Sequence, residues 1–302
     1  MHSILLNISA KSTDIELVHP DLDEYIGKIK ALPTAPGVLV KLITIFQQPD
    51  RHIDDVVALI RQDPSLTAGV LRYANSALFA PETPISEVFD AIEWVGFSQV
   101  YHAVVANLAA QVLQLTKRSC GVDVNHIWLH SATAAVCAGA IAKRAQESEG
   151  LAFTAGLLHD VGKIILSLAE GDEYTEITKQ FGSGPALQEA EAKAFGFGHA
   201  ELGARLLTRW GLPKSITIPT RYHHQAQGVE PLIRLCAVVT LGNIMARTGE
   251  ATAAGAQYAG SEAAIHATNI LQLSKDDLDA IWQRSQKDIK TMQETFGAGA
   301  GH

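Results

Sequence analysis

Hydrophobic residues recur every three or four positions along most of this chain, a spacing that predicts amphipathic helices. The segment 37–47 has this pattern and follows a Pro-Gly turn signal. Asp63 and Pro64 together predict a helix start, with the aspartate as N-cap and the proline in the first turn. We expect Ser86 to cap a further helix, which Gly96 ends in a left-handed conformation.

Similar patterns continue to the end of the chain, and the alternation of β-branched residues typical of strands is nearly absent. The predicted fold class is therefore all-α. A polar, turn-prone stretch at 116–125 separates two predicted helical lobes, 29–115 and 126–248. A lead-in segment, 1–28, precedes them, and a C-terminal helical extension with a frayed tail, 249–302, follows. Further helices are expected near 98–115, 126–146, 151–169, 185–195, 199–210, 214–224, 230–248 and 276–296.

Composition and charge narrow the class of protein. The chain has 302 residues and a formal net charge of −8, so it lacks the positive field that supplies most affinity for nucleic acids, and we expect no DNA partner. Three widely spaced cysteines without a CxxC pair favour a reducing compartment. The N-terminus lacks a signal-peptide pattern, and no uninterrupted apolar run of about 18 residues appears. The sequence therefore predicts a cytoplasmic protein without a membrane span.

The predicted second lobe contains an ordered set of metal-ligand residue types. Neutral imidazole and carboxylate groups are the usual ligands of hydrolytic metal centres. Five of the twelve histidines, with one aspartate, form the set: His130, His159, Asp160, His199, His223 and His224.

The doublet His159-Asp160 carries the strongest signal, because it lies in an apolar segment predicted to be a buried helix, where unpaired charge is costly. Lys163 follows these two residues by four and three positions and is expected to lie beside both. His126 lies one helical turn before His130 and could replace or support it. We expect structural roles for the remaining histidines, including His102.

Both lobes resemble a known family. Segments 127–145 and 151–166 resemble the H…HD pattern of HD-domain phosphohydrolases. The first lobe has a DPxLxxxxLxxAN element from Asp63 to Asn75 and an AIxxVG element at 91–96, which are similar to those of the HDOD family of bacterial signalling proteins. The resemblance covers roughly residues 30–248. We therefore interpret 29–248 as an HDOD domain whose second lobe is an HD-like helical bundle, with Asn75 capping or bracing the first lobe.

The resemblance implies a metal centre. HDOD proteins are related to HD-GYP phosphodiesterases, which hydrolyse cyclic di-GMP at a bimetallic, often iron, centre, whereas many HDOD members act as regulatory modules. It implies a divalent transition metal here, as one ion or a pair, with iron preferred over manganese or zinc. With two ions, Asp160 would bridge them, one ion taking His130 and His159. The other would take His199, His223 and His224. Asp160 and Lys163 are carried over as catalytic residues, the lysine neutralising charge on a phosphoryl group.

Two departures count against hydrolysis of cyclic di-GMP. The GYP loop is missing, because QAQGVEPLIRL follows His224. The late metal-binding aspartate is missing as well, since its expected positions hold Thr240 and Asn243. One ion would therefore lose an anionic ligand.

Three functions stay open on this evidence. The first is a bacterial signal-transduction module that acts through a signalling protein partner, with the metal site structural, sensory or vestigial. The second is an active metal-dependent phosphohydrolase or phosphodiesterase acting on a nucleotide or cyclic nucleotide. The third is a redox or gas sensor with a five-histidine di-iron site. We expect the regulatory module, with a nucleotide or phosphate as ligand at the metal site, and we favour metal binding over catalysis.

Overall fold

The computed structural model describes residues 20–29, 37–48, 50, 52–116, 122–226, 230–251 and 261–297. These residues are largely helical and contain no β-strand, which confirms the all-α prediction. Most of the predicted lead-in segment, the centre of the 116–125 boundary and the predicted tail beyond 297 lie outside the described residues.

The helix start predicted at Asp63 is confirmed. The Asp63 carboxylate accepts hydrogen bonds from the backbone N–H groups of Ser65 and Leu66, which makes Asp63 the N-cap ahead of Pro64. The described helices of this lobe are α2 (Gly37–Gln47), α3 (Ile53–Arg61), α4 (Pro64–Ala74), α5 (Val88–Val95) and α6 (Phe97–Thr116).

Asn75 braces the loop between α4 and α5, as predicted. Its side-chain Nδ2 donates to the carbonyl oxygens of Leu71 and Ile85, each at 2.8 Å. Its Oδ1 accepts from the Ile85 backbone N–H, also at 2.8 Å. The side chain therefore replaces backbone partners on both sides of the loop.

Two predictions about α5 are wrong. The helix begins one residue later than expected, so its N-cap is Glu87 rather than Ser86. The Glu87 carboxylate accepts from Arg61 and forms no cap hydrogen bond. Gly96 has φ 89° and ψ 158°, not the left-handed helical conformation. It connects α5 directly to α6, which begins at Phe97, so the chain must extend there to start a new helix.

The second lobe is arranged around one central helix, α7, which packs against α8 and α13. Small residues permit this close packing, because a Cβ atom added at Gly156 or Gly242 would lie 3.1 or 2.8 Å from the carbonyl oxygen of Ala134 in α7. The described helices of this lobe are α7 (Val124–Arg144), α8 (Glu149–Leu158), α9 (Val161–Phe181), α10 (Pro185–Phe195), α11 (His199–Arg209), α12 (Lys214–Tyr222) and α13 (Ile233–Ala251).

The single helix predicted at 151–169 is in fact two. His159 and Asp160 form a turn between α8 and α9, and α9 continues to Phe181 with a bend at Gly171, where φ is 48°. Because both helices are apolar around the turn, their hydrophobic periodicity does not reveal the break. By length and composition the run Glu149–Phe181 is the one described segment that could cross a membrane, but 83% of its apolar window is buried inside the protein.

Helices outside the two lobes complete the fold. α1 (Pro20–Lys28) packs on α11, where Asp23 pairs with Arg205. α14 (Glu262–Leu271), which lies in the predicted C-terminal helical extension but was not predicted as a separate helix, packs on α13. α15 (Lys275–Phe296) is the predicted amphipathic C-terminal helix, begun by a capping box of Ser274 and Asp277. It contacts α7 of the second lobe and both α4 and α6 of the first, so the two lobes share one core.

Candidate metal centre

The structure brings the six predicted ligand residues together in the interior of the second lobe. His130 comes from α7, and His159 with Asp160 comes from the turn between α8 and α9. His199 is the first residue of α11, and the adjacent His223 and His224 follow α12. Five of these side chains are buried, while His224 is partly exposed.

The six residues form two groups of three. The potential ligand atoms of His130, His159 and Asp160 lie within 4.8 Å of one another, and so do those of His199, His223 and His224. The Asp160 carboxylate lies between the groups. Its Oδ2 is 3.2 Å from His159 Nε2, and its Oδ1 is 3.3 Å from His199 Nε2 and 3.6 Å from His223 Nε2. This is the arrangement expected of a residue that contributes one oxygen to each of two sites.

Hydrogen bonds to backbone carbonyls orient two of the imidazoles toward this centre. Nδ1 of His159 donates to the Gly156 carbonyl at 2.7 Å, and Nδ1 of His223 donates to the Thr220 carbonyl at 2.6 Å. Because a carbonyl oxygen can only accept, Nδ1 carries the proton and Nε2 keeps its lone pair. The Nε2 atoms of His159 and His223, which both face Asp160, are therefore in the form that binds metal ions.

Glu191 is a functional residue that sequence reasoning missed. It is fully buried in α10, and its Oε2 accepts from His199 Nδ1 at 2.6 Å and from the His199 backbone N–H at 2.9 Å. Its Oε1 accepts from the Tyr174 hydroxyl at 2.7 Å. A carboxylate behind a metal-binding imidazole fixes its orientation and raises its basicity. The available signal was weak: Glu191 lies one turn after the buried Leu187, on the same face of α10.

The electrostatics keep the carboxylates ionised. Burial alone would raise the pKa of Asp160, but the neighbouring His159 and the Lys163 ammonium, which donates to its Oδ2, hold that pKa well below its ordinary value. Burial would likewise raise the pKa of Glu191, and His199 lowers it.

Most of the imidazoles are held neutral. Burial lowers the pKa of His159, and burial with the neighbouring histidines lowers the pKa values of His223 and His224 well below normal. The pKa of His199 is the exception: burial would lower it, but Glu191 and Asp160 raise it. Neutral imidazoles around ionised carboxylates form a donor set ready for a cation.

Two buried atoms test whether a metal ion fits here. Asp160 Oδ1 and His223 Nε2 are buried, and neither has a hydrogen-bond partner among the described residues. Unpaired buried polar atoms are rare and costly. In addition, the Nε2 atoms of His130 and His159 lie only 3.2 Å apart. A divalent cation bound by these nitrogen and oxygen donors would satisfy all of them, so the residues present fit a metal centre.

Asn243 faces the centre at the place where the sequence lacks a carboxylate. Its Oδ1 lies 3.1 Å from His130 Nε2, and its Nδ2 lies 3.5 Å from the His223 carbonyl. Thr240 does not point a free oxygen at the cluster, because its hydroxyl accepts from the Ala226 N–H and donates to the Tyr222 carbonyl. Of the two expected positions, Asn243 is thus the one whose side chain lies against the cluster.

The remaining predicted residues lie beside the cluster. Lys163 Nζ donates to Asp160 Oδ2 at 2.6 Å, which confirms that the two side chains meet. His126 is exposed and belongs to neither group of three. A cavity of about 620 Å³ opens on one side of the centre, where His130, Asp160 and Lys163 form part of its wall. The centre is therefore accessible to a ligand from that side.

Comparison with known proteins gives consistent results. The family model described as HDOD domain matches residues 32–226. A crystal structure of an HDOD domain protein of unknown function from Geobacter sulfurreducens is 25% identical, with a TM-score of 0.73, and the alignment covers 91% of this chain and 95% of that one. An uncharacterized protein of Treponema pallidum is 27% identical over 223 residues, which are 71% of this chain but only 42% of that protein.

Two further crystal structures have the same fold. One is named "Putative signal transduction protein" and comes from Marinobacter aquaeolei; it is 21% identical, with a TM-score of 0.70 and coverage of 92% of this chain and 64% of that one. The other is named "Putative phosphohydrolase" and comes from Shewanella amazonensis; it is 21% identical, with a TM-score of 0.69 and coverage of 90% and 98%.

Proposed function

The chain belongs to the HDOD domain family, and on that premise we propose that it is a bacterial signal-transduction module with a retained metal centre. The observation that carries the proposal is Asp160, whose two oxygens face two separate groups of histidines. His130 and His159 would hold one ion, and His199, His223 and His224 the other, with Asp160 shared. Bound divalent ions would supply positive charge that attracts phosphate oxygens.

A regulatory role agrees better with the charges than catalysis does. Asp160 is the one carboxylate among the six proposed ligands, and the side chain at the expected second position is the neutral Asn243. Two divalent ions would therefore remain strongly positive and bind an anion tightly rather than release it. The signalling name of the Marinobacter protein supports the same reading. A signalling protein partner would respond to whether this metal centre is occupied.

Metal analysis tests the proposal directly. Protein purified without chelators should contain about one to two equivalents of transition metal, with iron preferred over manganese or zinc, since histidine-rich sites bind these ions tightly. Less than about a tenth of an equivalent, after reconstitution with iron, manganese and zinc in turn, would overturn the metal centre.

An active phosphohydrolase is the second candidate, and one observation favours it. Lys163 contacts Asp160 and lines the open cavity, where it can neutralise a phosphoryl group. The metal-loaded protein would then hydrolyse bis(p-nitrophenyl) phosphate or a member of a nucleotide panel. Activity that survives Asp160→Ala would show that the centre is not its source.

A further inference from the structure

Part of the wall of the cavity beside the metal centre is formed by residues other than the six proposed ligands. The bend of α9 at Gly171 directs the second half of that helix across the cavity, and Thr175 and Thr178 line it there. The loop before α10 and one residue of α13, Arg247, close another side. At about 620 Å³ the cavity is far larger than an inorganic ion and falls in the range of small-molecule sites.

Arg247 is the unexplained residue of this wall. Its side chain is half-buried, and no hydrogen bond or ion pair joins it to another described residue. Burial lowers the pKa of its guanidinium, an effect that Asp160 partly offsets. Burying an uncompensated cation is costly unless something pairs with it. An unpaired, half-buried guanidinium that lines a cavity is typical of a residue that binds an anionic ligand.

The backbone leaves room for this arginine. A Cβ atom added at Gly184 would lie 2.6 Å from Arg247 Nη1, so any larger residue there would displace the guanidinium. Arg247 also lies four residues after Asn243, on the same face of α13, which places it one helical turn from the metal centre.

The charges around the cavity favour an anion. Three cationic side chains line it, those of Lys163, Lys179 and Arg247. Lys163 pairs with Asp160 and Lys179 with Glu176, so among the described lining residues the charge of Arg247 is the one left without an ion pair. The two lining carboxylates are already engaged: Asp123 accepts from two backbone N–H groups of α7, and Asp160 accepts from Lys163.

We propose that Arg247 is the anion-binding residue of this cavity and that it selects a phosphate ester of about mononucleotide size. The phosphate lies between Arg247 and Lys163, and the organic part lies against the apolar side chains of Val122, Ile127 and Leu187. Guanidinium groups bind phosphate oxygens in a bidentate manner, which gives the site its preference. The inference rests on the proposed function in so far as the cavity opens on the metal centre, but Arg247 is not one of the proposed metal ligands.

Binding measurements on the full chain test this. We would measure AMP, GMP and inorganic phosphate by equilibrium dialysis against metal-loaded and metal-free protein, with metal content determined for every sample. AMP or GMP should bind more tightly than inorganic phosphate, and Arg247→Gln should weaken nucleotide binding at least about tenfold. Arg247→Lys should restore part of the affinity. Arg284→Gln, which removes an exposed arginine of α15, should bind as the wild type does.

The outcomes separate this inference from the proposed function. Normal metal content with no nucleotide binding, or with binding unchanged in Arg247→Gln, overturns the role of Arg247 and leaves the metal module intact. Inorganic phosphate binding as tightly as AMP overturns the size selection. Absence of metal overturns the proposed function, and an Arg247-dependent affinity of the metal-free protein for AMP would still support the inference. A thermal unfolding curve for each variant shows that it is folded.

Discussion

Asp160 Oδ1 and His223 Nε2 lie 3.6 Å apart in the interior of the second lobe, and neither has a hydrogen-bond partner among the described residues. The carboxylate is ionised and the imidazole is neutral, since their pKa values are both held below normal. A negative oxygen and a lone pair that face each other without a proton between them leave room for a cation. This pair of atoms is therefore the most direct structural support for a bound metal ion.

Asp160→Asn tests whether one carboxylate serves both groups of histidines. The substitution keeps the size of the side chain but removes its charge, so we expect metal content to fall from about one or two equivalents to less than about a fifth of one. Asp172→Asn, an exposed change on α9, is the matched control and should retain its metal. If only half of the metal were lost, Asp160 would serve one ion rather than two.

Asn243→Asp should strengthen metal binding. It places a carboxylate where Oδ1 now lies 3.1 Å from His130 Nε2 and supplies the anionic ligand that the centre lacks. We expect an increase in affinity of about tenfold in competition with a chelator, because a charged oxygen ligand replaces a neutral one. An unchanged or lower affinity would show that Asn243 does not face the ion.

Glu191→Gln should loosen His199 without removing any proposed ligand. The amide is neutral, so the charge that raises the basicity of His199 is lost, and its NH2 group must face either His199 or the Tyr174 hydroxyl, where an accepting oxygen now lies. Changes behind a metal ligand typically lower metal affinity by about 10- to 100-fold. Tyr174→Phe is the graded comparison, because it removes only the hydroxyl that donates to Glu191 and should have a smaller effect. Equal metal affinities in all three proteins would contradict the positioning role.

His102 should make the protein less stable in acid. This histidine is buried in α6 and stacked on Phe153 at 3.9 Å, and burial lowers its pKa from 6.5 to about 3. Above pH 6.5 it is neutral in both the folded and unfolded states and has no effect. Between pH 6.5 and 3 the unfolded state binds one proton more, so the free energy of unfolding falls by up to about 1.4 kcal/mol per pH unit.

The comparison that isolates His102 is His102→Phe, with both proteins denatured by urea at several pH values. The variant should lose stability less steeply as the pH falls, because the other titrating histidines are the same in both proteins. Glu149 Oε1 lies 4.0 Å from His102 Nε2 and would offset part of the effect. Identical slopes for the two proteins would show that His102 can be protonated in the folded state.

Gly162→Ala should disturb the centre through the backbone. A Cβ atom at this position would lie 1.9 Å from the carbonyl oxygen of His199 and 2.9 Å from the backbone nitrogen of Gly203, so α9 and α11 would have to separate. We expect a loss of about 1–3 kcal/mol in stability together with weaker metal binding. Gly27→Ala, where nothing lies within 4 Å, should be neutral or slightly stabilising. Unaltered metal binding in Gly162→Ala would contradict the coupling.

Local patterns predicted most of this fold because helix periodicity and N-caps act within a few residues. Asp63, Pro64 and the apolar spacing around them determine α4 without reference to the rest of the chain. The six proposed ligands could also be selected from the sequence, because each lies in a motif of a resembling family.

Features that depend on packing between distant helices could not be predicted. Glu191 resembles the exposed Glu189 beside it in α10, and only the approach of His199 distinguishes them. The turn at His159 and Asp160 lies just before Gly162, where α9 packs closely on α11, a contact between segments about 40 residues apart. The role proposed for Arg247 depends on a cavity wall that three separate segments form.

The position of α15 bears on how this protein can be dissected. Gln293 of α15 donates to the carbonyl of Leu129 and to the hydroxyl of Thr133, which lie one residue before and three residues after His130 in α7. The family match ends at residue 226, before α13 and α15, both of which cover α7. A fragment cut at that limit would expose two faces of the helix that carries His130. A piece of the chain that keeps both of these covering helices therefore extends to Phe296, about 70 residues past the end of the family match.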